Sequence, residues 1–364
     1  MKDRSQQAIA AALRFEIPRG ALQIEPLGSG HIHETWLVAG AGSQRFVLQQ
    51  MNVSVFRNPR HVIDNIARVT QHIAAKVRDD CRCLSLVPAS NGGFLYIDDE
   101  GATWRMFLMI AQGVAFDVAP DAGYARQAAA AFGRFQAMLS DLPAPPLHET
   151  IPDFHNTASR FSQFTRAIEC DTQNRASSVR PEIHAILQRE SLSRVLEDLR
   201  SRNELPLRTV HNDTKLNNVL FHAQTGEALC VIDLDTAMPG LSLHDFGDLV
   251  RTAGTQALED ETNLDLVELD PPLFTALAGG YLAEARSFLS AREIEMLHLS
   301  PQVITFEVAM RFLTDYLGGD TYFRIDHPEH NVQRCRAQLK LVESMERKEQ
   351  WMQQAVRDAA SRLP

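Results

Sequence analysis

The chain has 364 residues and a formal net charge of -10, with 45% hydrophobic and 23% charged residues. This length suffices for one large or two modest domains with a buried core. The acidic balance argues against nucleic acid or an anionic membrane as the main partner. No apolar run approaches the roughly 18 residues of a membrane span, and residues 1–14 lack the apolar core of a signal peptide. We expect a cytoplasmic protein. Its oligomeric state stays open, and a monomer is compatible with the sequence.

The cysteines are five in number and scattered along the chain. An odd and dispersed set does not form a disulfide framework. One close pair, Cys81 and Cys83, has no second pair with which to complete a zinc site. We therefore expect all five to be reduced thiols.

The first part of the chain favours β-strands. Alternating or clustered apolar residues predict strands at 21–27, 32–38, 45–51, 84–88, 94–97 and 103–110, with one helix at 60–77. The first two strands flank a short glycine turn, residues 28–30. We interpret residues 1–112 as a small, β-rich lobe.

After Gly113 the pattern becomes helical. Apolar spacing predicts helices at 121–139, 157–168, 181–199, 271–289, 292–317 and 330–360. Two short apolar runs, 207–210 and 228–232, interrupt the series and flank a polar loop. We interpret residues 113–364 as a second, larger and mainly helical lobe.

The polar loop places Asp213 and Asn218 five positions apart. Phosphoryl transfer needs a carboxylate that accepts or orients a hydroxyl proton and an oxygen ligand for magnesium. Asp213 suits the first task and Asn218 the second. Lys215 could neutralise charge on the transferred phosphoryl group. A plain polar turn is also rich in Asn and Asp, so the loop alone leaves that interpretation open.

A carboxylate at the end of the second apolar run strengthens the phosphotransfer interpretation. The run 228–232 is typical of a buried strand and ends at Asp233. A carboxylate in that position is costly to bury unless it binds a cation or a donor. Asp233 follows Asn218 by 15 residues, which leaves room for one hairpin with its turn at 224–226. Such a hairpin would bring both oxygen ligands to one magnesium ion.

Two further carboxylates follow, Asp245 and Asp248. Either could brace the polar loop by accepting its backbone N–H groups. Either could equally be the N-cap of the following helix. A direct role in the chemistry is a third possibility, and the sequence leaves all three interpretations open.

These residues carry a family resemblance. From Val210 to Arg251 the chain resembles the catalytic core of the aminoglycoside phosphotransferase and choline kinase superfamily. Five stretches resemble one branch of it, the bacterial N-acetylhexosamine 1-kinases, namely 28–35, 46–50, 148–157, 310–323 and 328–331. The resemblance implies an α+β, bilobal, protein-kinase-like fold. It also implies transfer of the γ-phosphate of ATP to the anomeric hydroxyl of GlcNAc or GalNAc, with Mg2+ as cofactor.

The resemblance also implies roles for individual residues. Asp213 would be the catalytic base, and Asn218 and Asp233 would bind magnesium. Four residues match positions that contact sugar or phosphate in that family: His31, Lys215, Arg311 and Tyr322.

The nucleotide-binding residues depart from the protein-kinase pattern. We assign Gly28, Ser29, Gly30 and Gln49 to this role, but the full G-x-G-x-x-G loop is missing. A plain hairpin turn would also explain the glycines. Gln49 stands where such kinases place a lysine on the third strand. It can hydrogen-bond to phosphate but carries no charge, so Arg57 and Lys76 become candidate phosphate anchors.

Single residues have structural alternatives. Arg311 could pair with Asp315 at the i+4 position instead of binding substrate. Tyr322 could stack on a sugar or pack under its loop. His31 and His33 lack a third metal ligand at a sensible spacing, so we favour a sugar or phosphate contact or a surface histidine for His31.

Two other functions compete with the sugar kinase. One is a kinase for another small alcohol, such as choline, an aminoglycoside or a different sugar. Choline and aminoglycosides are cations and favour an acidic pocket, whereas His31, Lys215 and Arg311 favour a neutral sugar. The other is a catalytically inactive nucleotide-binding regulator. A regulator needs no base, so the joint presence of Asp213, Asn218 and Asp233 argues against it.

Overall fold

The computed structural model describes residues 2–18, 20–27, 32–40, 42–77 and 83–362. The predicted glycine turn and His31 lie outside this part of the chain, as does Cys81. The described strands are β1 (Gln23–Pro26), β2 (Glu34–Ala39), β3 (Arg45–Gln50), β4 (Tyr96–Ile97), β5 (Thr103–Leu108), β6 (Gly113–Val114), β7 (Arg208–Val210), β8 (Val219–His222), β9 (Ala228–Val231) and β10 (Met238–Gly240). The described α-helices are α1 (Lys2–Ala12), α2 (Pro59–Ala74), α3 (Ala122–Leu139), α4 (Thr157–Cys170), α5 (Arg180–Leu187), α6 (Val195–Ser201), α7 (Ser242–Ala253), α8 (Pro271–Ala285), α9 (Ala291–Met296), α10 (Ser300–Gly318), α11 (His330–Arg347) and α12 (Glu349–Ser361).

The N-terminal lobe is built on an antiparallel sheet with the strand order β1-β2-β3-β5-β4. Alternate residues of β3, Phe46 and Leu48, are buried, as expected for a strand with one face on a core. Trp36 of β2 and Trp104 of β5 join that face, and alanines of α1 cover it. The predicted bilobal α+β fold, with a small antiparallel sheet and a larger helical lobe, is confirmed.

The predicted strand at 84–88 is reduced to an isolated bridge between Leu86 and Phe107 of β5. The N–H of Val87 donates to the Met106 carbonyl oxygen at 2.8 Å, so the segment is extended and paired. β4 pairs with the first two residues of β5, beside the same edge. The segment around Leu86 and strand β4 therefore each pair with a different part of the same edge of β5. For this reason neither of them becomes a long strand.

Three predicted helices are each interrupted. The pattern at 292–317 separates into α9 and α10, and α10 has Pro301 in its first turn. Proline lacks the backbone N–H and obstructs the preceding turn, so a helix can begin there but not run through. The pattern at 330–360 breaks at Lys348, between α11 and α12. The pattern at 181–199 becomes α5, a 3-10 turn and α6.

The C-terminal lobe is organised around α7, which is buried along nearly its whole length. Phe246 of α7 contacts Phe274 and Tyr281 of α8, with ring centroids 6.3 and 5.2 Å apart. The largest hydrophobic cluster combines residues of α3, α7 and α8 with part of α12. The same cluster contains Leu216 of the polar loop and Val219 of β8, so the loop is packed on this core.

A separate hydrophobic cluster joins the two lobes. It contains Ile66 of α2, Phe107 of β5, Phe135 of α3 and Leu234, which follows Asp233 directly. The segment that carries the second predicted magnesium ligand is thus packed against the N-terminal lobe. The exact boundary at residue 112 stays a prediction.

No α-helix in the described ranges is long and apolar enough to cross a membrane. The four cysteines within those ranges form no disulfide.

Close packing of α3 on α8 generates a test of the fold. A Cβ on Gly280 would lie 2.3 Å from the Arg126 carbonyl oxygen, a backbone atom that cannot move alone. We expect Gly280→Ala to destabilise the protein by about 1–3 kcal/mol through overpacking, measured by urea unfolding.

Gly279→Ala is the matched control, because its added Cβ would meet only the mobile end of the Arg126 side chain, at 3.1 Å. Both changes gain the same helix propensity, about 1 kcal/mol. Equal unfolding midpoints for the two variants would contradict the close helix contact.

Candidate active site

The loop between β7 and β8 is held from behind by one carboxylate. Asp245 of α7 accepts the backbone N–H groups of His211 at 2.9 Å and Asn212 at 2.7 Å. The hydroxyl of Thr214 donates to the Asp245 carbonyl oxygen at 2.5 Å. Asn212 has a φ of 65°, the left-handed region that Asn tolerates better than most residues. The predicted bracing role is therefore confirmed for Asp245.

Asp248 does not share that role. It accepts from Nε of Arg251 at 2.8 Å, and Arg251 also contacts Glu259 at 2.6 Å. Since α7 begins at Ser242, neither Asp245 nor Asp248 is its N-cap. The capping alternative is wrong for both residues.

Asp213 lies among its predicted partners. Its Oδ1 is 3.0 Å from Nζ of Lys215, and its Oδ2 accepts from Nδ2 of Asn218 at 3.1 Å. Burial alone would raise the pKa of Asp213, but Lys215, together with His211 and Arg251, lowers that pKa. The Asp213 charge in turn raises the pKa of Lys215. At neutral pH the two groups form an ion pair, and Asp213 is an acceptor.

The predicted hairpin brings Asn218 close to Asp233. β8 and β9 pair antiparallel, with Val219 opposite Val231. One step beyond this pair, the N–H of Ile232 donates to the Asn218 carbonyl oxygen at 2.9 Å. Asp233 then adopts a left-handed conformation, with φ and ψ both 59°, and its side chain is exposed. The hairpin prediction is confirmed.

The electrostatics at Asp233 suit a bound cation. Desolvation by the surrounding protein, together with the charges of Asp235 and Asp213, raises the pKa of Asp233. A divalent cation would relieve this crowding of negative charge. Asn218 uses its side-chain nitrogen toward Asp213, which leaves its side-chain oxygen for a metal. Magnesium commonly takes one or two protein carboxylates and completes its shell with phosphate and water, so these residues fit it.

Within the described residues, no three His, Cys, Asp or Glu side chains are grouped so as to hold a metal ion by themselves.

The sequence reasoning missed a buried ion pair beside the metal-binding segment. Asp235 contacts Arg105 of β5, with 2.9 Å between Nη2 and Oδ2 and a second contact through Nη1. His33 also contacts this carboxylate. All three side chains are buried. Burial alone would raise the pKa of Asp235, but Arg105 and His33 lower it. The pair links the N-terminal sheet to the residue two positions after Asp233.

Gln49 belongs to the same network. Arg105 lies opposite it in the β3–β5 register, and Nε of Arg105 donates to the Gln49 side-chain oxygen at 2.9 Å. The Gln49 nitrogen donates to the Thr35 hydroxyl at 3.2 Å. Both ends of this amide already have protein partners, so Gln49 would have to exchange one to bind phosphate. Arg105, a buried cation, lies on β5. It is one strand away from position 49 on β3, where such kinases place a lysine.

A signal for this network was present in the sequence. Arg105 lies within Thr103–Leu108, where its neighbours on both sides are large and apolar. An arginine in such a strand is rarely buried without a partner. The other two candidate phosphate anchors are placed differently. Lys76 pairs with Asp141 and donates to the Met138 carbonyl oxygen at 2.6 Å, while Arg57 is exposed.

Arg311 and Tyr322, the two remaining predicted substrate residues, lie together. Nη2 of Arg311 is 3.5 Å from the Tyr322 hydroxyl. The Arg311 guanidinium lies over the rings of Phe154, Tyr322 and Phe323, at 5.2, 5.7 and 5.6 Å from their centroids. Its ionic neighbour is Glu307, at 4.0 Å. The Arg311 side chain is largely enclosed, whereas Tyr322 is 53% exposed.

Asp315 has a different task from the predicted pairing with Arg311. Its Oδ1 accepts the backbone N–H groups of Thr321 at 2.9 Å and Tyr322 at 2.8 Å, and its Oδ2 accepts that of Phe323 at 2.9 Å. The loop that carries Tyr322 is thereby fixed to the helix that carries Arg311. The predicted partner Asp315 is wrong, but the alternative of a salt bridge within the helix holds for Arg311, with Glu307 as its partner.

This chain is similar to a known family and to several solved structures. Residues 23–279 match the model of the APH family, described as the phosphotransferase enzyme family. Among solved structures, a microcompartment-associated aminopropanol kinase is 16% identical with a TM-score of 0.60, over 97% of this chain and 98% of that one. An amicoumacin kinase in complex with AMP-PNP, Ca2+ and Ami is 13% identical with a TM-score of 0.63, over 93% and 94%.

A choline kinase from Cryptosporidium parvum Iowa II is 12% identical with a TM-score of 0.54, over 97% of this chain and 98% of that one. At these identities the solved structures establish the shared fold, and the family match covers well over half of the chain. The chain belongs to the phosphotransferase enzyme family.

Proposed function

We propose that this protein is an ATP- and magnesium-dependent kinase that phosphorylates the anomeric hydroxyl of an N-acetylhexosamine, GlcNAc or GalNAc. One observation carries the assignment of phosphoryl transfer. The Asp213 carboxylate contacts the Lys215 ammonium at 3.0 Å and the Asn218 side-chain amide at 3.1 Å, and Asp233 lies nearby. The sugar part is supported by the enclosed Arg311 beside the exposed Tyr322 ring, and by the sequence resemblance.

Asp213 has the properties of a base for this reaction. It is ionised at neutral pH and only partly buried, with 24% of its side chain exposed. A lowered pKa makes it a weak base, and an ordinary alcohol would match it poorly. An anomeric hydroxyl is more acidic than an ordinary alcohol, so the mismatch is smaller. Lys215 orients the carboxylate and places positive charge near the transferred phosphoryl group.

Asn218 and Asp233 would hold magnesium through one oxygen from each side chain. When bound, the ion would supply neutralisation of charge on the phosphates of ATP. The buried pair of Arg105 and Asp235 holds the segment of Asp233 in place.

We call the region of Arg311 and Tyr322 the acceptor side, because we place the phosphate acceptor there. The charges near it favour a neutral substrate. Aminopropanol and choline, named for two of the similar structures, carry a cationic nitrogen at neutral pH. Arg311 and Lys215 would not attract such a group, and their own counter-ions, Glu307 and Asp213, are already paired with them. The face of the Tyr322 ring can stack on a sugar, and its hydroxyl can bond to a sugar oxygen.

A kinase for a cationic alcohol is the second candidate. A cavity of about 90 Å3 is lined by Asn212 and by three acidic residues, Glu149, Asp153 and Glu197. Arg200 lines it too and pairs with Glu197 at 2.7 Å. This pairing reduces the negative charge that a cation would find there.

A substrate panel tests the proposal. ATP consumption is measured with free sugars, choline, aminopropanol and aminoglycosides, and the product is mapped by phosphorus NMR. We expect turnover with GlcNAc or GalNAc and a phosphate on O1. Phosphate on another oxygen, or turnover confined to the amines, would overturn the sugar 1-kinase assignment.

Replacing Asp213 tests the base. We expect Asp213→Asn to lower kcat by at least about a hundredfold, because the general base is lost while the size is kept. Asp117→Asn is a control, since Asp117 binds Asn217 of the same loop at 2.9 Å. Near-normal turnover in Asp213→Asn would refute the role of Asp213.

Replacing Asp233 tests the metal site. We expect Asp233→Ala to abolish turnover at millimolar magnesium, because one of two protein ligands is missing. The measurement is a magnesium titration of the rate. A half-saturating magnesium concentration equal to that of the wild type would remove Asp233 from the ligand set.

Replacing Arg311 tests the acceptor side. We expect Arg311→Ala to raise the KM of the sugar at least about tenfold while that of ATP changes little. Arg334→Ala is a matched control, since Arg334 also lies over an aromatic ring, Phe312, at 5.4 Å. Equal changes in both KM values would indicate that Arg311 is structural.

A further inference from the structure

His155, just before α4, contacts the catalytic loop from behind. Its Nε2 donates to the Asn212 carbonyl oxygen at 2.8 Å, and its Nδ1 lies 2.8 Å from Oε1 of Glu307. Both partners are acceptors. An imidazole whose two nitrogens both face acceptors must carry two protons, provided that the Glu307 carboxyl is ionised.

The surroundings of Glu307 keep it ionised. This residue of α10 is fully buried, and its Oε2 accepts from the Thr157 hydroxyl at 2.7 Å. Burial alone would raise the pKa of Glu307, but His155, Arg311 at 4.0 Å and the Thr157 hydroxyl together lower that pKa to about 2. Burial alone would lower the pKa of His155, and the Glu307 charge raises it. The buried pair is therefore imidazolium and carboxylate.

The atom that His155 holds belongs to the peptide group that leads into Asp213. The Asn212 carbonyl and the Asp213 N–H form one rigid plane. His155 binds the carbonyl end, and the N–H end donates to Nδ1 of His211 at 3.2 Å. Asn212 itself is left-handed, a conformation that most residues leave readily. Without the carbonyl contact, this plane could rotate and carry Asp213 with it.

We propose that His155, oriented by Glu307, is a positioning residue that fixes the Asn212–Asp213 peptide and thereby aims the Asp213 carboxylate. The inference rests on the proposed role of Asp213 as the base. It also gives Glu307 a double task. One of its oxygens faces both His155 and Arg311, so the acceptor side and the catalytic loop share one buried anion.

Two substitutions of His155 separate its contact with Asn212 from its contact with Glu307. The amide of Gln reaches the place of Nε2, so His155→Gln can still donate to the Asn212 carbonyl. The amide of Asn reaches only the place of Nδ1, so His155→Asn keeps Glu307 and loses the loop. Both variants remove the same positive charge.

We expect kcat of His155→Asn to fall at least about tenfold below that of His155→Gln, because misplacement of a reacting group by about 1 Å costs up to a hundredfold. The KM of ATP should change less than about threefold in both. Rates are taken with the acceptor that gives the highest wild-type turnover, so failure of the sugar assignment leaves the comparison valid.

Hydrogen–deuterium exchange supplies a readout that needs no acceptor. We expect faster amide exchange in residues 208–218 of His155→Asn than of His155→Gln. Equal kcat and equal exchange in the two variants would overturn the proposal and leave His155 as a packing residue. Normal turnover in Asp213→Asn would instead refute the base, while the exchange data still decide whether His155 holds the loop.

Glu307→Gln is the milder second variant if His155→Asn does not fold. The Gln side chain can donate to Nδ1 of a neutral His155, which leaves the Nε2–H on Asn212. We expect amide exchange in residues 208–218 to stay near the wild-type rate, since the loop contact is kept. Faster exchange in those residues, at unchanged global stability, would overturn the proposal.

Discussion

The carboxylate of Asp245 is the interaction on which the active site depends. Three donors converge on it, the N–H groups of His211 and Asn212 and, at 2.5 Å, the side-chain amide of Gln136. Burial raises the pKa of Asp245, and these donors offset part of that cost. α7 is packed on nearly all sides and cannot shift without opening the core. The shape of the catalytic loop is therefore set by the interior of the helical lobe.

A second constraint is the balance of charge. Asp213, Asp233 and Asp235 lie close enough to influence one another, and each is compensated differently. Asp213 has Lys215 within the same loop. Asp235 has Arg105 and His33, both supplied by the other lobe. Asp233 is left with the least compensation, which is the condition for a cation to bind there. The lobes thus contribute opposite charges to one site.

Much of the fold and part of the site could be predicted from the sequence, and the limit has a physical reason. The β8–β9 hairpin and the placement of Asp213 and Asn218 in one loop depend on residues close in sequence, so the spacing could predict them. Arg105 and Asp235 are 130 residues apart, and His155 and Glu307 are 152 apart. No local pattern specifies such partners. The break before α10 was readable from Pro301, but helical spacing on both sides concealed it.

The register of Gln49 against Arg105 has an evolutionary consequence. If a lysine stood at position 49, two cations would face each other across neighbouring strands, beside a single buried carboxylate. The neutral side chain at position 49 and the cation at position 105 therefore depend on each other. A cation at position 49 would require a neutral residue at position 105. Any mutational route between these arrangements must cross an intermediate with either two cations or none next to Asp235. We expect the intermediate with two cations to fold poorly, and the intermediate with none leaves Asp235 without its arginine. We therefore expect positions 49 and 105 to change together.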